Sequence, residues 1–149
     1  MAKASTIKTT FSRETSVSTE IKADSKTIWG LLTDSANYPK WNTTVIGIEG
    51  NIKPGETIKL KSKLDPKRTF KLKVKEFETG KKLVWGDAMG NRTYTLSNGG
   101  NGSVNFSMTE KIGGLMFPLF AKYIPPFDES FDQFANDLKK EAETLTNTK

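Results

Sequence analysis

The sequence predicts an α+β domain in which an antiparallel sheet is followed by one long C-terminal helix. Three observations carry that prediction. After Trp41 come at least six strand-like segments separated by turn residues, with no convincing helix between them, which favours a meander over alternating βα units. From Phe127 the apolar positions Phe127, Phe131, Phe134, Leu138, Ala142 and Leu145 recur at steps of three and four, the period of a helix with a single apolar stripe. The chain has 149 residues, enough to bury one core of ordinary size but not two.

Taken in order, residues 1–11 are rich in Ser, Thr and Lys with little to bury, so they read as a flexible leader to a single domain over 12–147. Thr15, Val17, Thr19 and Ile21 then alternate with Ser16, Ser18, Glu20 and Lys22, the pattern of a strand with one buried face. Asp24 or Ser25 can cap a following helix, because either oxygen can accept from its first free amides. Ile28, Leu31 and Leu32 share one side of that helix, which ends before Pro39 and gives way to a second short turn reaching Trp41. The strand segments are 45–50, 57–64, 70–77, 83–87, 92–96 and 104–112, divided by Pro54-Gly55, Asp65-Pro66, Thr79-Gly80 and a Gly- and Asn-rich hairpin turn at 97–102. Gly113-Gly114 marks the exit from the sheet. The apolar stretch 115–124 contains Pro118 and is closed by Pro125-Pro126, so it cannot be one unbroken helix. The final helix should run about 20 residues, with Pro126 in its first turn and Asp128 and Glu129 at its positive end. A helix with three Phe on one face needs a concave sheet of about seven strands to cover it.

Composition excludes much chemistry. The chain has no His and no Cys, which removes the imidazole base, the thiolate nucleophile, the Ser-His-Asp triad, disulfides and zinc sites of the usual ligands. Catalysis would have to use carboxylates, Lys, Arg, Tyr or hydroxyls. There is no Gly-rich phosphate loop and no clustered metal ligands, so neither cofactor nor metal is expected. The start lacks the apolar core of a secretory signal and no run approaches the roughly 18 residues needed to span a bilayer, which predicts a cytoplasmic protein.

Residues 15–146 resemble the START-like, helix-grip superfamily often labelled SRPBCC, and within it the polyketide cyclase/dehydrase-like branch. The likeness rests on Ile28-Trp29-Gly30-Leu31-Leu32-Thr33-Asp34 followed by Asn37-Tyr38-Pro39-Lys40-Trp41-Asn42, on Gly55 before the third strand, and on the closing helix with Phe131-Asp132-Gln133-Phe134 and Asp137-Leu138-Lys139-Lys140. That superfamily includes lipid carriers and cyclases, so the resemblance implies a cavity between sheet and C-terminal helix. The ligand would be a small hydrophobic or amphipathic molecule such as a lipid, isoprenoid or polyketide-like compound. Trp41, Trp85, Phe106, Met108, Phe117, Phe120, Phe127 and Phe131 are the candidate lining residues; each could equally be plain core. Strand parity also turns Arg92 and Glu110 inward near strand ends, with Tyr94 beside Arg92 and Asp87 a weaker polar candidate. Without His there is no established catalytic constellation to carry over, so binding without chemistry is the leading expectation and a cyclase or dehydratase its alternative.

Charge supplies a third reading. Between Lys53 and Lys82 stand eleven basic residues against four acidic ones. Lys59, Lys61 and Lys63 alternate with Leu60 and Leu64, and Lys71, Lys73 and Lys75 with Leu72 and Val74, which puts two Lys rows on the outer face of one hairpin. Such rows discourage edge pairing and keep a sheet solvated. They could also give weak electrostatic contact with an anionic membrane, whereas the lack of interleaved aromatics argues against specific nucleic-acid binding.

Overall fold

The computed structural model describes residues 2–147. Its first hairpin pairs Ser5–Lys8 (β1) with Ser12–Ile21 (β2), Thr6 opposite Thr15. This corrects the expected leader over residues 1–11. The segment buries little, as its composition implies, yet its backbone groups find partners along β2 and the sheet gains an eighth strand. Side chains tie it down further: the Thr6 hydroxyl donates to the Asp128 carboxylate at 2.6 Å.

Asp24 caps α1 (Ser25–Thr33), its Oδ1 accepting from the Thr27 amide at 2.7 Å. A 3-10 turn, Ser35–Asn37, leads into α2 (Tyr38–Trp41). Tyr38 is wholly buried, and its hydroxyl donates to the Leu32 carbonyl at 2.7 Å, serving one of the carbonyls that the end of α1 leaves without a helical partner.

The strands β3 (Val45–Glu49), β4 (Thr57–Ser62), β5 (Phe70–Glu78), β6 (Lys82–Gly86), β7 (Gly90–Gly100) and β8 (Ser103–Gly113) form an antiparallel meander. β8 then pairs with β2 over ten positions, giving the order β1-β2-β8-β7-β6-β5-β4-β3. The two helices therefore carry the chain from β2 to the far edge, and the meander brings it back. The β7–β8 turn is tighter than the composition of 97–102 suggests: Gly100, Asn101 and Gly102, with φ of 84°, 51° and 79°, make the reversal. Both strands run up to them, because Gly and Asn accept a left-handed backbone at little cost.

After β8 the chain forms α3 (Phe117–Phe120) and a second 3-10 turn, Ala121–Tyr123. Phe117 is buried and pins this segment, while Leu115, Met116, Leu119 and Tyr123 stay exposed. The long helix α4 (Asp128–Asn147) has the expected length but starts beyond Pro126; the Phe131 amide closes its first turn onto the Phe127 carbonyl at 2.8 Å. Phe131, Phe134, Ala135, Leu138 and Ala142 are buried against the sheet, and Leu145, near the outer end, is 39% exposed. Phe134 is the packing centre, its ring 5.7 Å from Tyr94, 6.4 Å from Phe106 and 5.9 Å from Trp41.

Candidate ligand cavity

Strand register sets rows of side chains across the inner face of the sheet. One row runs Val17, Met108, Tyr94, Leu83, and the next, toward the end of the sheet, runs Thr15, Glu110, Arg92, Trp85. The first lies in the core beneath α4. At the second a cavity of about 170 Å³ opens. Its apolar walls are Leu60, Phe70 and Leu72 from β4 and β5, Trp85 from β6 and Ile112 from β8, and it is closed on the helix side by Ile124, Pro125 and Phe127. Arg92 and Glu110 form its polar floor, with Asp65, Arg68 and Asp87 nearer the rim.

The floor is an ion pair held from several directions. Arg92 Nε donates to Glu110 Oε1 at 2.7 Å, and the two side chains are only 18% and 20% exposed. The guanidinium also lies over the Phe131 ring at 5.1 Å. Phe131 stacks on Phe127 at 6.0 Å, and a second guanidinium, that of Arg13, covers Phe127 at 4.8 Å. Arg13 is itself buried on β2, and its two terminal nitrogens donate to the carbonyls of Ile124 at 3.2 Å and Pro125 at 2.8 Å. It thus straps the segment that closes the cavity to the sheet.

Burial acts against charge at these groups, and their partners decide the outcome. For Arg92, burial pulls the pKa down, but the charge of Glu110 and the neighbouring Tyr94 outweigh it and the net shift is upward. For Arg13, burial dominates and lowers the value, with Glu110 and Asp128 opposing it. Tyr94 is pushed up to about 12 by burial, against the opposing pull of Arg92. Its hydroxyl is fully buried and makes no hydrogen bond.

Of the eight residues singled out from the sequence, Trp85 and Phe127 line the cavity, and Phe131 lies under Phe127 and Arg92. Phe106 and Met108 have no exposed surface and sit in the deeper rows beneath Phe134, not at the cavity. Trp41 packs on Tyr38 at 5.0 Å and on Phe134, outside the cavity wall. Phe117 anchors α3 and Phe120 is half-buried at its end, and neither reaches the cavity. Parity assigned the inner face correctly; it carries no information on how far along each strand the helix lies. Asp87 serves its own turn, its Oδ1 accepting from the amides of Met89 and Gly90. The residue the sequence reading passed over is Arg13. It shares the parity of Thr15 and Val17, but it precedes the clear alternation that begins at Thr15.

Among the described residues no group of three or more His, Cys, Asp or Glu could hold a metal ion, and no helix is long and apolar enough to cross a membrane. No family model matches the sequence, and no curated protein does. Solved structures do match. The chain superposes on the Zhui aromatase/cyclase from Streptomyces sp. R1128 with a TM-score of 0.71 at 10% identity, over 91% of this chain and 96% of that one. A START superfamily protein from Mycobacterium smegmatis gives 0.64 at 17% identity over 89% and 98%. The chain has the START-like helix-grip fold. A conserved protein of unknown function from Enterococcus faecalis shares this helix-grip arrangement, with a TM-score of 0.69 at 15% identity over 95% of this chain and 78% of that one. At such identities the likeness is one of fold alone.

Proposed function

We propose that the protein binds a small hydrophobic or amphipathic molecule in the cavity at the start of α4, without turning it over. The observation that supports this most is the lining itself: a mostly apolar hollow walled by Trp85, Phe127, Leu60, Leu72 and Ile112, with one largely shielded ion pair at its floor. At about 170 Å³ it exceeds the roughly 150 Å³ of an engineered cavity that takes benzene and falls below the 300 Å³ or more typical of drug-sized sites. One ring with a substituent, or a short chain, fits inside, and a longer body would extend through the mouth. Trp85 and Phe127 would touch the ligand, Phe131 would back Phe127, and Phe106, Met108, Trp41, Phe117 and Phe120 would contribute through the shape of the core. No cofactor or metal enters this reading.

The largely shielded Arg92–Glu110 pair also supports a second reading, a cyclase or dehydratase like the aromatase/cyclase among the structural neighbours, with Glu110 as acid or base and Arg92 stabilising an oxyanion. Conversion of a poly-β-keto substrate by purified protein, abolished by Glu110→Gln, would establish it over binding alone.

Native mass spectrometry of protein taken from its source, followed by solvent extraction, tests the main reading on the natural ligand. Naphthalene fluorescence tests it in vitro. Saturable binding is expected, weakened at least tenfold by Leu72→Trp, which fills the cavity from β5. Binding unaffected by both Leu72→Trp and Ile112→Trp would place the site elsewhere.

A further inference from the structure

Two arginines meet at the cavity end of the sheet, and the protein treats them differently. Arg13 gives both terminal nitrogens to backbone carbonyls, so its fork is filled by the chain. Arg92 gives only Nε, to Glu110. Among the described residues no acceptor takes its terminal nitrogens, although the side chain is about four-fifths buried, stands in the cavity wall and is covered on one face by Phe131. The one polar neighbour on the same strand face, Tyr94, lies close enough to the guanidinium to raise its pKa, but its hydroxyl completes no hydrogen bond. The terminal nitrogens are not among the fully buried unpartnered atoms, so they open onto the cavity, and a guanidinium presents donors only.

We propose that Arg92 is the recognition residue for the ligand's polar end, and that this end is an sp² oxygen acceptor, a carbonyl or a carboxylate, held by the open side of the guanidinium. The inference rests on the cavity reading above. Glu110 is the positioning residue: by holding Nε it fixes the plane of the fork, and Phe131 fixes its tilt. Because Glu110 already balances the charge of Arg92, a neutral carbonyl can be accepted as well as an anion, with the charge-assisted bond stronger for either than a neutral pair would give. An ammonium head has nothing to accept with and meets a cation, so it is rejected.

The test compares four probes on one skeleton: naphthalene, 2-acetonaphthone, 2-naphthoate and 2-(aminomethyl)naphthalene. At neutral pH at least one oxygen-bearing probe should bind tenfold or more tighter than naphthalene, and the ammonium no tighter. If 2-naphthoate leads, the natural head is a carboxylate; if 2-acetonaphthone leads, it is a carbonyl. In Arg92→Met the affinity ratio of the leading oxygen probe to naphthalene, both measured on the variant, should shrink to threefold or less. Should that variant unfold around an unpaired Glu110, the double variant Arg92→Met with Glu110→Gln removes both charges and is read instead. Equal affinity of wild type for naphthalene and both oxygen probes overturns the inference and leaves the cavity reading standing, as does an oxygen advantage that survives loss of Arg92. Failure of every probe to bind overturns both.

Discussion

Tyr38 and Tyr94 place two phenols where water does not reach, and in both cases burial is the main reason the pKa rises, to about 12 for Tyr94. In the unfolded chain each ionises near 10. The folded state therefore holds a proton that the unfolded state releases, so stability is intact below about pH 10 and falls as pH rises toward 12. For Tyr94 the span is about two pKa units, or roughly 2 to 3 kcal/mol if fully expressed. Urea unfolding between pH 8 and 11.5 should show that decline, and Tyr94→Phe should flatten it; a decline as steep in Tyr94→Phe as in wild type would assign it to other groups. Tyr38→Phe should behave differently. It removes the bond to the Leu32 carbonyl, so it should cost about 1 to 2 kcal/mol already at pH 7, where the phenol is neutral in both states. The Asn-Tyr-Pro-Lys-Trp segment was legible as a fold marker, but the reason for its tyrosine, an orphan carbonyl six residues back, is not written in any local pattern.

At the scale of elements, periodicity read the chain well where an element has one buried face. The stripe of α4 and the inward parity of β7 and β8 were both visible, because a side chain's direction follows from its position in a helix or strand. The Ser5–Lys8 strand was not, since it is stabilised by backbone pairing with β2 and its exposed or half-exposed side chains carry no period to detect. The cavity was half legible for a related reason: which face is inner is a local property, whereas where α4 stops covering the sheet depends on the whole fold. The segment between β8 and α4 shows this most clearly. Where it closes the cavity it is gripped from over a hundred residues earlier, Arg13 donating to the Ile124 and Pro125 carbonyls. Arg13→Met keeps the apolar stem over Phe127 and removes the grip. Hydrogen exchange should then speed up at Tyr123 and Ile124 with the rest of β2 unchanged, and naphthalene should bind more weakly; unaltered exchange there would show that Phe117 alone holds the segment.

For the molecule as a whole, the net charge of +6 is distributed unevenly. Lys59, Lys61, Lys63, Lys71, Lys73 and Lys75 are all exposed on the outer face of β4, β5 and their flanks, while Ile58, Leu60 and Val74 are buried beneath them. Lys59 stands directly opposite Lys71, an arrangement that repels and is tolerated only because water screens it. The protein should cosediment with anionic vesicles at 10 mM salt and be released at 0.15 M, where the screening length is about 8 Å. A variant with Lys59, Lys61, Lys71 and Lys73 changed to Glu should lose the low-salt association and keep naphthalene binding. Association that persists at 0.15 M would make this face a docking surface instead of a solvating one. The pairing of β2 with β8 has a consequence of another kind, in time. β2 forms in the first 21 residues, but its long neighbour does not exist until residue 113 has been made, so on a growing chain it can pair only with the four residues of β1. The β2–β8 pairing encloses residues 22–103, a loop that must be drawn together at that step, so the joining of β2 to β8 is expected to be the slow, entropically expensive event of assembly. Arg13 and Glu110 lie on those two strands, so the cavity floor and the strap over its mouth come into being together, at the end.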